Sequence, residues 1–284
     1  MIPMRRNGTR CGKHIQGSRG AIVALLLGVL LATSAAAQVS VNGPLTYEVE
    51  LEPGAVHTGS IILENSGPRP EEVRLYQTDY RSESPSRSFY EDPGTNARSN
   101  AFWIAVSPLR FTIPAGSRFT VPFTIEIPAD RTLSGTYWSV LMVEPIPAGS
   151  PESVSAPEGE VAVGVITVLR YAVRLVTHVG QEGTVQPEIT DVSLALRDGV
   201  PSLGVVVANA GSRMLRNEIW AELYDDSGRM VARRDGVGGT LFPDSTVQYQ
   251  VPLAEVERGA YTALVLIDSG GNNVFAVNLS LTLQ

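Results

Sequence analysis

VAVGVITVLRYAVRLVTHV, residues 161–179, is the stretch on which the reading of the whole chain turns. Its odd positions, Val161, Val163, Val165, Thr167, Leu169, Tyr171, Val173 and Leu175, fall on one face of an extended strand. Its even positions carry Ile166 and Val168 and then turn basic at Arg170 and Arg174. A strand of this length exceeds the usual five or six residues, so its first half projects beyond the needs of one sandwich. Two readings of that excess stand side by side. An open apolar edge is a hazard unless it serves to pair with another chain, in which case backbone hydrogen bonds give affinity and alternating pockets give selectivity. The same periodicity also suits a central strand covered on both faces.

Outward from this stretch, alternating and β-branched runs of four to nine residues recur between Gly, Pro, Asn and Asp, and no segment keeps a helical period for three turns. The pattern predicts an all-β fold. In the first half the strands are 47–51, 59–64, 72–79, 102–107, 110–113, 119–127, 136–144 and 161–177. In the second they are 189–196, 202–208, 218–224, 230–234, 245–251, 260–268 and 273–283. Seven or eight short strands per half suit a sandwich. The segments 81–100 and 145–159 are turn-rich and read as long connections.

An internal repeat divides the chain. Asn65-Ser66-Gly67 follows Ile62-Leu63-Glu64 as Asn209-Ala210-Gly211 follows Val206-Val207-Ala208. Pro114-Ala115-Gly116-Ser117, Pro128 and Gly135-Thr136-Tyr137 are matched by Pro243-Asp244-Ser245, Pro252 and Gly259-Ala260-Tyr261. The Asn-x-Gly glycines are expected at positive φ, and the Gly-x-Tyr steps restart strands. Two related immunoglobulin-like β-sandwich domains in tandem follow, at 38–179 and 188–284, joined by a linker at 180–187 around the turn-rich Gly180-Gln181-Glu182-Gly183-Thr184.

The first 37 residues carry Arg5, Arg6, Arg10, Lys13 and Arg19 without an acid, then an apolar run at 21–32 and Ala35-Ala36-Ala37. This predicts a cleaved secretory signal at 1–37. Cleavage removes five cations and no acid, so the formal charge of −7 becomes −12. A surface so acidic disfavours nucleic acid and anionic lipid as partners, and no later apolar run is long enough to span a bilayer. The single cysteine, Cys11, lies in the leader, so the exported fold is expected without disulfides or Cys-ligated metal.

Catalysis has little to draw on. Beyond residue 37 there are two histidines, His57 and His178, no Cys and no Lys, and no HExxH, Gly-x-Ser-x-Gly or phosphate-binding glycine loop. The reading is a non-enzyme with no cofactor and no metal. His57 and His178 are expected at edges, and Trp103, Trp138 and Trp220 in core packing. Tyr76, Tyr80 and Tyr90 border the 81–100 segment as turn anchors or as a contact surface.

Taken in order, these features resemble the periplasmic chaperones of the chaperone/usher pilus pathway, the PapD-like family. Pro128-Ala129-Asp130-Arg131 leads to Tyr137-Trp138-Ser139-Val140 and Pro145-Ile146-Pro147, similar in order and spacing to a family step, and 161–174 is similar to the family's long edge strand with a basic anchor. The resemblance implies a periplasmic chaperone for pilus-like or surface subunits, working beside an outer-membrane usher. It implies Val163, Val165 and Leu169 as residues donated to the partner, with Arg170 and Arg174 at the basic end and Arg174 as carboxylate anchor. The family also uses an arginine on its first strand, and here no Arg lies between Gln38 and Pro68. A second resemblance is to exported two-domain bacterial surface proteins that bind wall or adhesive partners, which implies a structural or adhesive module secreted or held at the cell surface.

Overall fold

A computed structural model describes residues 38–83, 87–147 and 168–283. The 1–37 leader, residues 148–160 of the second long connection, and Val161, Val163 and Val165 of the deciding stretch lie outside the described residues.

The first sandwich is built from β1 (Val39–Val41), β2 (Thr46–Leu51), β3 (Val56–Asn65), β4 (Glu71–Glu83), β5 (Arg87–Glu91), β6 (Ile104–Val106), β7 (Arg110–Ile113), β8 (Ser117–Glu126), β9 (Gly135–Ile146) and β10 (Tyr171–Val179). One sheet has the order β1-β3-β8-β6; the other has β2-β10-β9-β4-β5, with β7 also on β4. Alternate residues of both sheets, among them Leu63, Val73, Val121, Ile125, Leu141 and Leu175, meet in a core from which water is excluded. β9 is buried on both faces, because its other set, Trp138, Val140, Met142 and Glu144, is covered as well.

The second sandwich comprises β11 (Pro187–Arg197), β12 (Val200–Asn209), β13 (Leu215–Tyr224), β14 (Met230–Asp235), β15 (Gly239–Leu241), β16 (Thr246–Pro252), β17 (Gly259–Asp268) and β18 (Val274–Leu283). Its sheets have the orders β11-β12-β16 and β14-β13-β17-β18, with β15 on β13. They enclose a separate core that includes Val205, Val207, Ile219, Leu223, Val265 and Ile267. The chain is thus all-β, two immunoglobulin-like sandwiches in tandem.

The internal repeat has a structural basis in two buried asparagines. Asn65 Oδ1 accepts the Gly67 N–H at 2.9 Å while its Nδ2 donates to Arg69 O and Ile113 O. Asn209 does the same with Gly211, Arg213 O and Leu241 O. Each amide closes its own turn and ties it to a distant strand, satisfying buried backbone groups that water cannot reach. The glycines serve differently from the expectation: neither Gly67 nor Gly211 has positive φ. At Gly211 a Cβ would lie 2.4 Å from Thr184 O, so the constraint there is closeness of backbone.

Where the sandwiches meet, Trp138 stacks on Phe242 at 4.7 Å between ring centroids, with Val176 beneath and Tyr80 and Met214 packed around them. Trp138 therefore fills the joint and not a sandwich core. Thr136 donates its N–H to Ser212 O, and its Oγ1 accepts the Met214 N–H. The same hydroxyl is 2.9 Å from His178 Nδ1, within hydrogen-bond reach. His178 is half-buried, and that burial pushes its pKa down against the opposing pull of Glu48. Gly135, at φ +87°, passes so close to Ser212 O that no Cβ fits.

Two more expectations are corrected. Residues 81–100 are not one connection: β4 continues to Glu83 and pairs with β5 as a hairpin, with Tyr80 opposite Tyr90. Residues 101–103 form a 3-10 turn, so the strand expected from 102 starts at Ile104. Phe242→Ala is expected to cost about 3 to 5 kcal/mol in urea unfolding, as large-to-small changes at buried rings do, with the two sandwiches no longer melting in one transition.

Candidate functional site

β10 has a different neighbour along each part of its length. On one side it pairs antiparallel with β9 throughout, from Tyr171 opposite Val143 to Val179 opposite Gly135. On the other side β2 runs parallel to it, but only from Thr46 opposite Arg174 to Leu51 opposite Val179. Upstream of Leu45 the chain leaves this sheet, and β1 joins β3 in the opposite one. Among the described residues, no strand lies beside Tyr171, Ala172 and Val173 on that edge. Arg174 donates its N–H to Leu45 O at 2.9 Å. Strand alternation therefore aims the N–H and C=O of Ala172 at the open side.

The side chains follow the same alternation. Val173 and Leu175 enter the first core, whereas Ala172, Arg174 and Val176 point to the outer face. Val168 and Leu169, just ahead of β10, are 36% and 49% exposed, an apolar approach to the open edge. Leu169, Arg170 and Arg174 are thus gathered at one sheet edge. Of the strand expected over 161–177, residues 168–170 are not in a strand and β10 starts at Tyr171; 174–179 is flanked by β9 and β2, as the covered reading expects, and among the described residues 171–173 has β9 alone beside it.

Arg170 and Arg174 have different surroundings. Arg170 reaches Glu144 Oε1 at 2.6 Å, while Arg74 takes Oε2 at 2.6 Å. Burial pushes the Glu144 carboxyl up, and the Arg74 hydrogen bond with the charges of Arg170 and Arg74 outweighs it, leaving the group below the usual carboxylate range. Arg170 is half-exposed and serves first to compensate this buried acid. Arg174 makes a different contact: its Nε donates to Thr46 Oγ1 at 3.0 Å, and no acid among the described residues forms an ion pair with it.

Beside Arg174 is a cleft of about 220 Å³. Val140 and Ala172 form its floor, Leu45 one side, and Tyr80, Ser88 and Tyr90 of the β4–β5 hairpin the other. The hairpin comes this close because it is tied down at its base. Trp138 Nε1 donates to Tyr80 O at 2.8 Å, and buried Asp79 accepts from Asn96 N–H and Ser99 Oγ. In the sequence, Tyr80 and Tyr90 border the turn-rich 81–100 segment, with nothing that joins them to Arg174. Their separation of more than eighty residues left no local signal. Among the described residues no cluster of three His, Cys, Asp or Glu could hold a metal ion, and no helix is long and apolar enough to cross a membrane.

No protein-family model and no curated protein matches this chain. Solved structures do. The chaperone–tip adhesin complex of CFA/I fimbriae biogenesis is similar at TM-score 0.47 and 8% identity, over 85% of this chain and 98% of that one. The class 5 fimbriae chaperone CfaA gives TM-score 0.45 and 9% identity, over 84% and 98%. The CsuC–CsuE chaperone–tip adhesion subunit pre-assembly complex from the archaic Csu pili of Acinetobacter baumannii gives 0.43 and 16%, over 85% and 98%.

Because the Glu144 pKa is lowered in the fold, the stability it contributes is present above the ordinary carboxylate pKa of about 4.3 and is lost as pH falls toward the folded value. Glu144→Gln is expected to lower stability at pH 7 by about 1 to 2 kcal/mol. Its urea midpoint should then vary less than that of the wild type between pH 5 and about 3.

Proposed function

We propose that the chain is a non-enzymatic, exported chaperone for β-rich surface or pilus-like subunits, acting in the periplasm by lending the edge of its 161–174 strand to a partner. In this reading 38–179 and 188–284 are its two domains, 180–187 is the linker, and 1–37 is removed on export. One observation carries the proposal: among the described residues β10 has no neighbour beside Ala172 and Val173 on this edge, and from Arg174 onward the edge is closed by the start of β2. An added strand has backbone partners along this edge, and its direction is decided by charge. A strand running parallel to β10 ends with its C-terminal carboxylate at Arg174, whereas an antiparallel one would bring its terminal ammonium to the guanidinium.

Leu169, with Val163 and Val165 upstream, supplies the apolar side chains that complete the partner's sandwich. Burying three such groups contributes about 4 to 9 kcal/mol before the costs of association are counted. Arg174 anchors the carboxylate through its free fork, and Arg170 stands next to it, braced on Glu144. The decisive test is capture from the envelope fraction of the source organism, with Leu169→Asp and Arg174→Ala alongside. The proposal expects small β-rich subunits held by the wild type and lost, by tenfold or more, from both variants at unchanged urea midpoint. Equal capture by all three proteins, or capture of wall polymer, would move the function to an adhesive module.

A further inference from the structure

The second sandwich has a bare edge of its own. β11 pairs with β12 on one side, and among the described residues no strand pairs with its other side. The opposite edge of that sheet, β16, lies against β13 and β14, so β11 borders the open seam of the sandwich on the side of β18. There Val192 and Leu194 stand opposite Val205 and Leu203 of the second core, and Leu196 continues their face. Yet Leu194 is 43% and Leu196 74% exposed. Two features bound the regular part of this edge. The ladder is irregular between Ile189 and Asp191, and the chain turns back at Asp198 and Gly199, both at positive φ. What lies between, residues 191–197, is centred on Leu194.

We propose that this edge pairs with the same edge of a second copy of the chain, antiparallel and in the register that sets Leu194 opposite Leu194. Turning the run end for end about Leu194 brings Asp191 opposite Arg197, Val192 opposite Leu196 and Ser193 opposite Ala195, each pair twice. The two charged residues of the run therefore answer each other across a two-fold axis. Among the described residues, neither the Asp191 nor the Arg197 side chain has a hydrogen-bond or ion-pair partner in its own chain. Neighbouring registers lose this match. Centring the pair on Ser193 leaves Leu196 and Arg197 against the irregular step between Ile189 and Asp191, and centring it on Ala195 sets Val192 against Asp198 of the turn. Charge on an edge strand ordinarily keeps other strands away. Here the two charges are opposite in sign and symmetric in place, so they favour a copy of the same edge over other edges. The joined strands make one continuous sheet through both copies, and the exposed leucines cover each other. β11 belongs to the other sandwich from β10, so the inference stands whatever binds at β10, and a pair so formed carries two β10 edges.

The test is sedimentation equilibrium of the exported chain from micromolar to millimolar concentration, over which the wild type is expected to pass from monomer to dimer. Arg197→Asp and Asp191→Arg each set like charges opposite one another at both symmetric positions. Each should weaken the dimer by about tenfold or more. The double variant Asp191→Arg/Arg197→Asp, with the charges exchanged, should recover the wild-type dissociation constant to within about threefold. All three charge variants alter exposed side chains, so their urea midpoints at the lowest concentration should match that of the wild type. Oxidation reads the register separately. The exported chain has no cysteine, so a single introduced thiol can cross-link only to its counterpart in the second copy. Opposed Cα atoms of an antiparallel pair lie about 4.5 to 5.5 Å apart, within disulfide reach. Leu194→Cys should therefore cross-link, and Leu196→Cys, whose counterpart is displaced about 13 Å along the strand, should not. A wild type that stays monomeric at millimolar concentration overturns the proposal. A dimer equally tight in both charge reversals also overturns it, since association then lies at another surface, as does cross-linking of Leu196→Cys as readily as Leu194→Cys.

Discussion

How much of β10 is covered depends on where β2 begins. Parallel pairing between β2 and β10 begins at Thr46 opposite Arg174, and upstream of it the chain crosses to the other sheet as β1. Two successive short strands thus serve the two sheets in turn, and among the described residues β10 has no neighbour on this edge ahead of Arg174. An edge with unpaired peptide groups is a liability that natural sequences blunt with charge or short length. Here the described open part is short, flanked by Arg170 and Arg174, and lies beside the hairpin wall. In the proposed function, the same residues that protect the edge from indiscriminate pairing also set the direction and the end point of a partner strand.

A second dependence runs through β9. Its inward residues Leu141 and Val143 belong to the first core, and its outward residue Trp138 is the centre of the joint with Phe242. Val140, one step along the same face, is the floor of the cleft. Core, joint and cleft therefore share one rigid strand, so the cleft inherits its geometry from packing and owes little to loops. Arg216 paired with Glu48 and Arg213 donating to Gly180 O add polar ties across the same joint. They are solvent-accessible and contribute less than the aromatic stack.

Most of the strands were legible because burial of one face imposes a period of two, and that period persists at β3, β8, β13, β17 and β18. β1, β5 and β15 were missed because they are only three to five residues long, too short for alternation to register. The β4–β5 hairpin was read as a loop because its polar, turn-rich composition has no core face to betray it. Trp138 was correctly expected to be buried, but alternation cannot tell a core face from a joint face when the partner, Phe242, is more than a hundred residues away. At the site, the alternation of the 161–179 stretch is a local property, and Leu169, Arg170 and Arg174 were singled out in it by the family resemblance. The salt bridge that occupies Arg170 and the tyrosines that face Arg174 come from β4, β5 and β9, and only the sheet order brings them together.

The central claim is that a partner strand lies parallel to β10 with its C terminus at Arg174. It is tested most directly by paramagnetic relaxation on methyl-labelled protein bound to an extended hexapeptide acid carrying a nitroxide near one end or the other. Six residues in extended form span roughly 20 Å, enough to separate the two ends. The account predicts that a label on the penultimate residue broadens the Leu45 and Val140 methyls and spares Leu169, and that a label on the first residue does the reverse. Broadening of Leu45 and Val140 by the label on the first residue, or by neither, would contradict it.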